Sequence, residues 1–209
     1  MNLHKLYSIL LDRYNQQGWW PLLCDDHPPE RFTCYHPDNY DIPRNNEQIF
    51  EICIGAILTQ NTNWLNVERS LNNLKNNYLL SVNSILDINH TSLAQYIKSS
   101  GYFNQKARKL KEFCQYFKTL KGTPNRNDLL SIWGIGAETA DSILLYAYKQ
   151  PVMVIDAYTR RVFKSNNFNF YSESYEKLKK RCEENLPVDF KLFQEFHALL
   201  VEEGKSLKK

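Results

Sequence analysis

Residues 129–148 read LLSIWGIGAETADSILLYAY, and this stretch decides the fold. Gly134 and Gly136 flank a single apolar residue, Ile135, after a short apolar turn and before a new helix. In that helix Ala140, Ile143, Leu144 and Ala147 fall at i, i+3, i+4 and i+7, so one face is apolar and turned inward. The spacing predicts helix, tight hairpin, helix. Glycine permits backbone conformations closed to other residues, which lets the chain reverse sharply and leaves N–H groups of the hairpin and of the following helix start exposed. Such a nest attracts a phosphate. An ordinary turn between helices looks the same, because Gly-x-Gly by itself recurs in many settings.

Outward from the hairpin, Asp156 stands 20 residues beyond Gly136, after the apolar run VMVI and before AYTRRVFK. An acid at the end of an apolar run is either a helix cap or a carboxylate kept for chemistry. Helical spacing dominates the remainder. Leu3, Leu6, Tyr7, Leu10 and Tyr14 line one face, as do Phe50, Cys53, Ile54 and Ile57. Further helices are expected over 64–77, 91–99, 105–120, 127–133, 137–148, 158–165, 173–185 and 189–203. Strand alternation is nowhere sustained, and the extended run at 151–155 is too isolated to build a sheet. The fold class is all-α. Pro28, Pro29, Pro37 and Pro43 interrupt the helical pattern and make 24–43 a loop. Boundaries near 45 and 150 divide the chain into a central helical lobe, 45–150, and a second lobe built from both ends, 1–44 and 151–209.

Composition excludes several classes. With 43% hydrophobic residues and only seven Gly and eight Pro, the chain is neither disordered, collagen-like nor low-complexity. The longest apolar run, 143–148, falls far short of the roughly 18 residues of a membrane span. His4, Lys5, Ser8, Asp12 and Arg13 break the N-terminal stretch, which therefore lacks the apolar centre of a secretory signal, and a cytoplasmic location is expected. The cysteines at 24, 34, 53, 114 and 182 are odd in number and scattered, so reduced thiols are expected rather than disulfides. A net charge of +3 is too mild to announce nucleic-acid binding unless Lys and Arg cluster.

Taken together, the hairpin stretch, VMVIDAYTRRV, GAILTQNT at 55–62 and GYFNQKARKL at 101–110 resemble the helix-hairpin-helix DNA glycosylases typified by endonuclease III, over about residues 45–165. The resemblance implies two helical lobes with a DNA-binding cleft between them and the helix-hairpin-helix motif at about 127–148. It implies that Gly134, Gly136 and adjoining amides grip the DNA backbone, often with a bound monovalent cation, and that Asp156 is the catalytic carboxylate. A carboxylate suits the chemistry, since breaking an N-glycosidic bond builds positive charge on the sugar.

Two departures from the type are informative. Bifunctional members carry a nucleophilic Lys at the position of Glu138, and a carboxylate cannot form a Schiff base. Glu138 is expected to be an exposed first-turn acid favoured by the helix dipole, with Lys149 or Lys164 as substitutes that the sequence leaves open. Endonuclease III also ligates an iron–sulfur cluster through four clustered Cys, whereas Cys182 stands alone in that region, so no cluster and no required cofactor are expected. Cys24, His27, Cys34 and His36 form the one remaining metal candidate, at a spacing that matches no common zinc pattern.

These departures, with the Trp19-Trp20-Pro21 sequence, look like the 3-methyladenine DNA glycosylase III branch. There the resemblance implies that Trp20, Pro21 and Phe50 sandwich the extruded base, that Lys205 lies close to the pocket, and that Gln60 and Tyr102 fill the gap left in the duplex. Without the resemblance, Trp19, Trp20 and Phe50 would read as core and Gln60 as a helix cap. Lys106, Arg108, Lys109 and Lys111 cluster in one segment, and Arg160, Arg161 and Lys164 follow Asp156, as phosphate contacts or as solvated faces. The expected function is a monomeric, monofunctional glycosylase acting on double-stranded DNA with an alkylated purine. A glycosylase for deaminated, mismatched or oxidised pyrimidines and a noncatalytic DNA-binding module are the alternatives.

Overall fold

The computed structural model describes residues 2–26 and 29–207. Asn2 accepts the Lys5 N–H at 2.8 Å and opens α1 (Leu3–Tyr14), which buries Leu3, Leu6 and Leu10. Asparagine repeats this task along the chain: Asn45, Asn63, Asn89 and Asn125 each accept a first-turn N–H of the helix that follows. Each such cap stabilises its helix by roughly 1 kcal/mol.

Between α1 and the second helix a two-stranded antiparallel ladder forms, β1 (Leu22–Leu23) just before the expected loop with β2 (Thr33–Cys34) inside it, pairing Leu22 with Cys34 and Leu23 with Thr33. Strands of two residues show no alternation, which is why spacing did not reveal them. The expectation of reduced thiols fails here. Cys24 and Cys34 form a disulfide with Cα atoms 5.8 Å apart, because the ladder carries Cys24 past the end of β1 and back against β2. Cys53, Cys114 and Cys182 are free and buried.

α2 (Asn46–Leu58) is the central helix: from Ile52 to Leu58 every residue is buried, so it is apolar all round. It packs on α3 (Trp64–Asn76), which is followed by α4 (Val82–Asp87) and α5 (His90–Tyr96). The six-residue α4 was not expected, since it is too short to show a helical period. Both α4 and α5 lie against α6 (Phe103–Thr119). α7 (Arg126–Ser131) and α8 (Ala137–Ser142) enclose the glycine hairpin, and α8 widens into a π-helical turn, Ile143–Ala147, that packs on α2. An extended stretch then leads to α9 (Ala157–Ser165), α10 (Tyr175–Asn185) and α11 (Phe190–Ser206). α11 packs against α9, α1 and the π turn. The fold is predominantly helical, and no helix among the described residues is long and apolar enough to cross a membrane.

The hairpin is sharper at one glycine than at the other. Gly134 has φ +83°, a conformation that L side chains rarely adopt. Gly136 has φ −94°, ordinary extended backbone, and a Cβ added there would meet nothing within 4 Å. The conformational argument therefore holds for Gly134 and not for Gly136, whose lack of a side chain leaves the surface over the start of α8 open. No side chain caps α8.

Candidate active site

A cavity of about 360 Å³ opens where the end of α2, the hairpin helix, the start of α9 and the last turns of α11 converge. Trp19, Trp20 and Trp64 line it, with ring centroids 5.2–5.7 Å apart and Trp20 edge-on to Trp64. Gly55 of α2 makes room for this wall, since a Cβ there would lie 3.2 Å from Trp20 Nε1. The titratable groups in the wall are Glu138, Asp156, Tyr158, His197 and Lys205.

Asp156 serves as a helix cap and also faces the cavity, so the two readings of the sequence coexist in one side chain. Its Oδ1 accepts the Thr159 N–H at 2.7 Å and the Thr159 hydroxyl at 2.9 Å, capping α9. Its Oδ2 lies 3.6 Å from His197 Nε2. Burial by itself would raise the carboxyl pKa, but the His197 imidazole and the two Thr159 donors outweigh it and hold Asp156 below the usual aspartate value. Asp156 is thus an ionised oxygen pair in the wall of a largely apolar chamber.

Glu138, on the first turn of α8, retains solvent exposure as expected but also borders the cavity. Desolvation and then the Asp156 charge raise its pKa, opposed by His197 and Arg160. Gln60 joins cavity to hairpin: its Nε2 donates to the Gly134 carbonyl at 3.2 Å and to Thr139 Oγ1 at 2.9 Å, while its Oε1 accepts from Lys109 Nζ. It lies past the last residue of α2 and caps no helix. Tyr102, at the N-cap position of α6, is 65% exposed with φ 46°.

Residues 54–188 match the HhH-GPD superfamily of base excision DNA repair proteins. This chain belongs to that superfamily. Over 97% of its length the HhH-GPD chain is 39% identical to a Methanocaldococcus jannaschii protein named "putative DNA repair glycosylase", covering 87% of that protein. Among solved structures, it superposes with TM-score 0.76 and 25% identity on the H. pylori 3-methyladenine DNA glycosylase bound to 1,N6-ethenoadenine, with both chains covered completely. A trapped endonuclease III–DNA covalent intermediate shares the fold, with TM-score 0.74 at 19% identity over 100% of this chain and 89% of that one. The HhH-GPD protein is accordingly a DNA glycosylase of the endonuclease III superfamily.

Within this glycosylase the remaining expected residues fall into two groups. Trp20, Gln60, Glu138, Asp156 and Lys205 all border one cavity. Phe50 does not: it is 4% exposed and packs on Phe117 at 5.3 Å. It precedes Ala56, which does reach the cavity, by six residues, about 9 Å along the helix axis. Pro21 is buried and lies outside the cavity wall. The structure thus does not bring Pro21 and Phe50 to the cavity beside Trp20. Trp64 lines the cavity instead, and its only signal in the sequence is its position directly after LTQNTN. His197 left no signal, as a lone histidine within the apolar segment 196–201 of α11.

The basic cluster also divides. Lys106 is 1% exposed and donates to the Leu58 and Ser100 carbonyls at 2.8 and 2.6 Å; burial, then Lys109, pushes its pKa down to about 8. Lys111 donates to the carbonyls of Ile85, Leu86 and Ile88 at the end of α4. Both hold the fold together and are not free for phosphate. Arg108 stacks on Trp133 beside the hairpin, 3.9 Å from the ring centroid. Arg160 and Arg161 donate to the carbonyls of Tyr171, Glu173 and Gly204. Lys149 donates to the Asp41 carbonyl and Lys164 lies by the Tyr171 ring, and neither borders the cavity. Among the described residues Lys205 is the lysine of the cavity wall. Cys24 and Cys34 are consumed by their disulfide, His36 bonds the Trp20 and Asn39 carbonyls, and His27 lies outside the described residues. No cluster of three or more His, Cys, Asp or Glu among the described residues is placed to hold a metal ion.

Proposed function

We propose that the chain is a monofunctional DNA glycosylase that hydrolyses the N-glycosidic bond of an alkylated purine, 3-methyladenine above all. The observation that carries this reading is the ionised Asp156 carboxylate in the wall of a cavity lined by three indoles. As the bond to the base lengthens, positive charge grows on the deoxyribose, and a fixed carboxylate in a water-poor site stabilises it and orients the attacking water. An N-alkylated purine is itself cationic, so electron-rich ring faces attract it by about 0.5–2 kcal/mol and it leaves readily without a strong general acid. The likeness to the H. pylori 3-methyladenine enzyme supports the same substrate class.

Glu138 offers no amine, and this supports hydrolysis without strand cleavage. In the same reading the hairpin at Gly134 and Gly136, open at Gly136, takes the DNA backbone together with a monovalent cation, and Gln60 and Tyr102 enter the gap left by the extruded nucleotide. The cleft lies between a lobe of residues 45–150 and one formed by 1–44 with 151–209, and the enzyme works as a monomer on cellular double-stranded DNA. Nothing in the chemistry assigned to Asp156 calls for an iron–sulfur cluster.

The test is base release from duplexes carrying 3-methyladenine, 7-methylguanine, uracil opposite guanine, or thymine glycol, with Asp156→Asn as control. Preferential release of the alkylated purines, abolished in the variant, is the expected result. Preferential release from the pyrimidine duplexes would overturn the substrate class, and an unimpaired Asp156→Asn would overturn the role of the carboxylate.

A further inference from the structure

His197 is 8% exposed and contributes to the cavity wall, yet its Nε2 has no hydrogen-bond partner. Its other nitrogen, Nδ1, lies 2.7 Å from the Tyr146 hydroxyl, which is also 3.2 Å from the Gln194 carbonyl. Tyr146 is wholly buried, and burial, with the nearby Glu195 and Asp156 charges, raises its pKa well above the usual phenol, so the hydroxyl keeps its proton. That proton has two possible acceptors. Given to Nδ1, the nearer, it fixes the neutral imidazole with its hydrogen on Nε2. Given to Gln194, it obliges Nδ1 to donate to the phenol oxygen, and a bare Nε2 would then present a lone pair to the Asp156 carboxylate unless it too were protonated. Either way the stable states carry a hydrogen on Nε2, aimed at Oδ2. Since Thr159 occupies Oδ1 with two donors, Oδ2 is the oxygen left for chemistry.

We infer that His197 is a positioning residue for Asp156: with its tautomer set by Tyr146, it presents Nε2–H to Oδ2 and keeps that oxygen turned toward the cavity. This deepens the proposed function and rests on the role given there to Asp156. The arrangement links the π turn, α11 and the cap of α9 through side chains that no sequence motif connects. The ionisable groups around His197 are Asp156 at the start of α9, Glu138 on α8, Tyr146 on the π turn, Tyr158 on α9 and Lys205 one wall segment along α11. Of these, Asp156 Oδ2 lies 3.6 Å from Nε2.

Two measurements test it. Nitrogen-15 NMR of the histidine rings in the free protein reads the tautomer without reference to catalysis. The expected result is a hydrogen on the Nε2 of His197, and a neutral ring with its hydrogen on Nδ1 overturns the inference. Single-turnover release of 7-methylguanine from duplex DNA is then followed against pH for wild type, His197→Phe, His197→Gln and Asp156→Asn. His197→Phe is expected to lose about tenfold at neutral pH and to move the acid limb upward, because Asp156 then keeps its burial and loses its donor. His197→Gln, which retains an N–H near the same place, restores part of both. An unchanged rate and limb in a folded His197→Phe overturns the inference, as does failure of Gln to restore anything. Should His197→Phe not fold, Tyr146→Phe carries the test: without the phenol the ring is no longer held in one tautomer, so a share of Nδ1–H joins the NMR signal and the acid limb rises, and no change in either overturns the inference. Full activity in Asp156→Asn would instead bring down the catalytic reading of Asp156, and this inference with it.

Discussion

The side-chain amide of Gln60 donates to the main-chain carbonyl of Gly134 at 3.2 Å, tying the floor of the cavity to the apex of the hairpin. A residue expected to enter the duplex is thus already fastened to the element expected to hold the strand.

Gln60→Ala removes that bond together with those to Thr139 and Lys109. Leaving part-buried partners unsatisfied costs about 1–2 kcal/mol, read as a lowered melting temperature. Base release at limiting enzyme should fall further than release at saturating enzyme, because DNA engagement and not the bond-breaking step is impaired. Equal losses in the two regimes would count against this account.

Asp156→Asn keeps a cap of equal strength on α9 while removing the charge. Its melting temperature should stay near wild type while base release drops by about 100-fold or more. Asp156→Ala loses the cap as well and should unfold about 1 kcal/mol more easily. Calorimetry beside the excision assay separates the two roles.

Glu138→Gln probes a carboxyl whose pKa is raised by desolvation and by Asp156. A folded-state value above the unfolded one means that the native protein holds its proton more tightly, so stability falls as pH climbs through the range between them. Thermal melts should show the variant more stable than wild type at pH 7, with the difference vanishing in acid where both states are protonated. A difference that persists in acid would point to packing instead of charge.

Glu138→Lys places an amine on the first turn of α8, at the border of the cavity that Asp156 faces. Borohydride should then trap a covalent adduct with DNA that wild type does not form. Trapping by wild type, abolished by Lys205→Met, would make Lys205 a nucleophile and remove the monofunctional reading.

Much of the fold was legible because periodic apolar spacing survives in long amphipathic helices such as α1, α6 and α11. The site was legible wherever a residue sat at fixed distance from the hairpin, as Asp156 and Gln60 do. Direction was lost in α2: buried on all sides over Ile52–Leu58, it offers no polar face from which to tell that Ala56 meets the cavity and Phe50 meets Phe117. Pairing was lost between Cys24 and Cys34, since the ladder that unites them is two residues wide. Trp64 and His197 reach the cavity from helices that contact it only through tertiary packing, which no local pattern records.

The widened winding at Ile143–Ala147 bears on how readily this enzyme tolerates changes in length. Each residue of an α-helix turns the chain by about 100°, so deleting one here would restore regular α geometry while swinging every later side chain away from its present bearing. Tyr146 would lose sight of His197, and the extended stretch leading to Asp156 would begin from a different azimuth. Helix-widening turns of this kind recur at functional sites, and in this glycosylase the irregularity makes α8 an alignment device between the glycine hairpin and the carboxylate, as sensitive to an insertion or deletion as a gear is to a missing tooth.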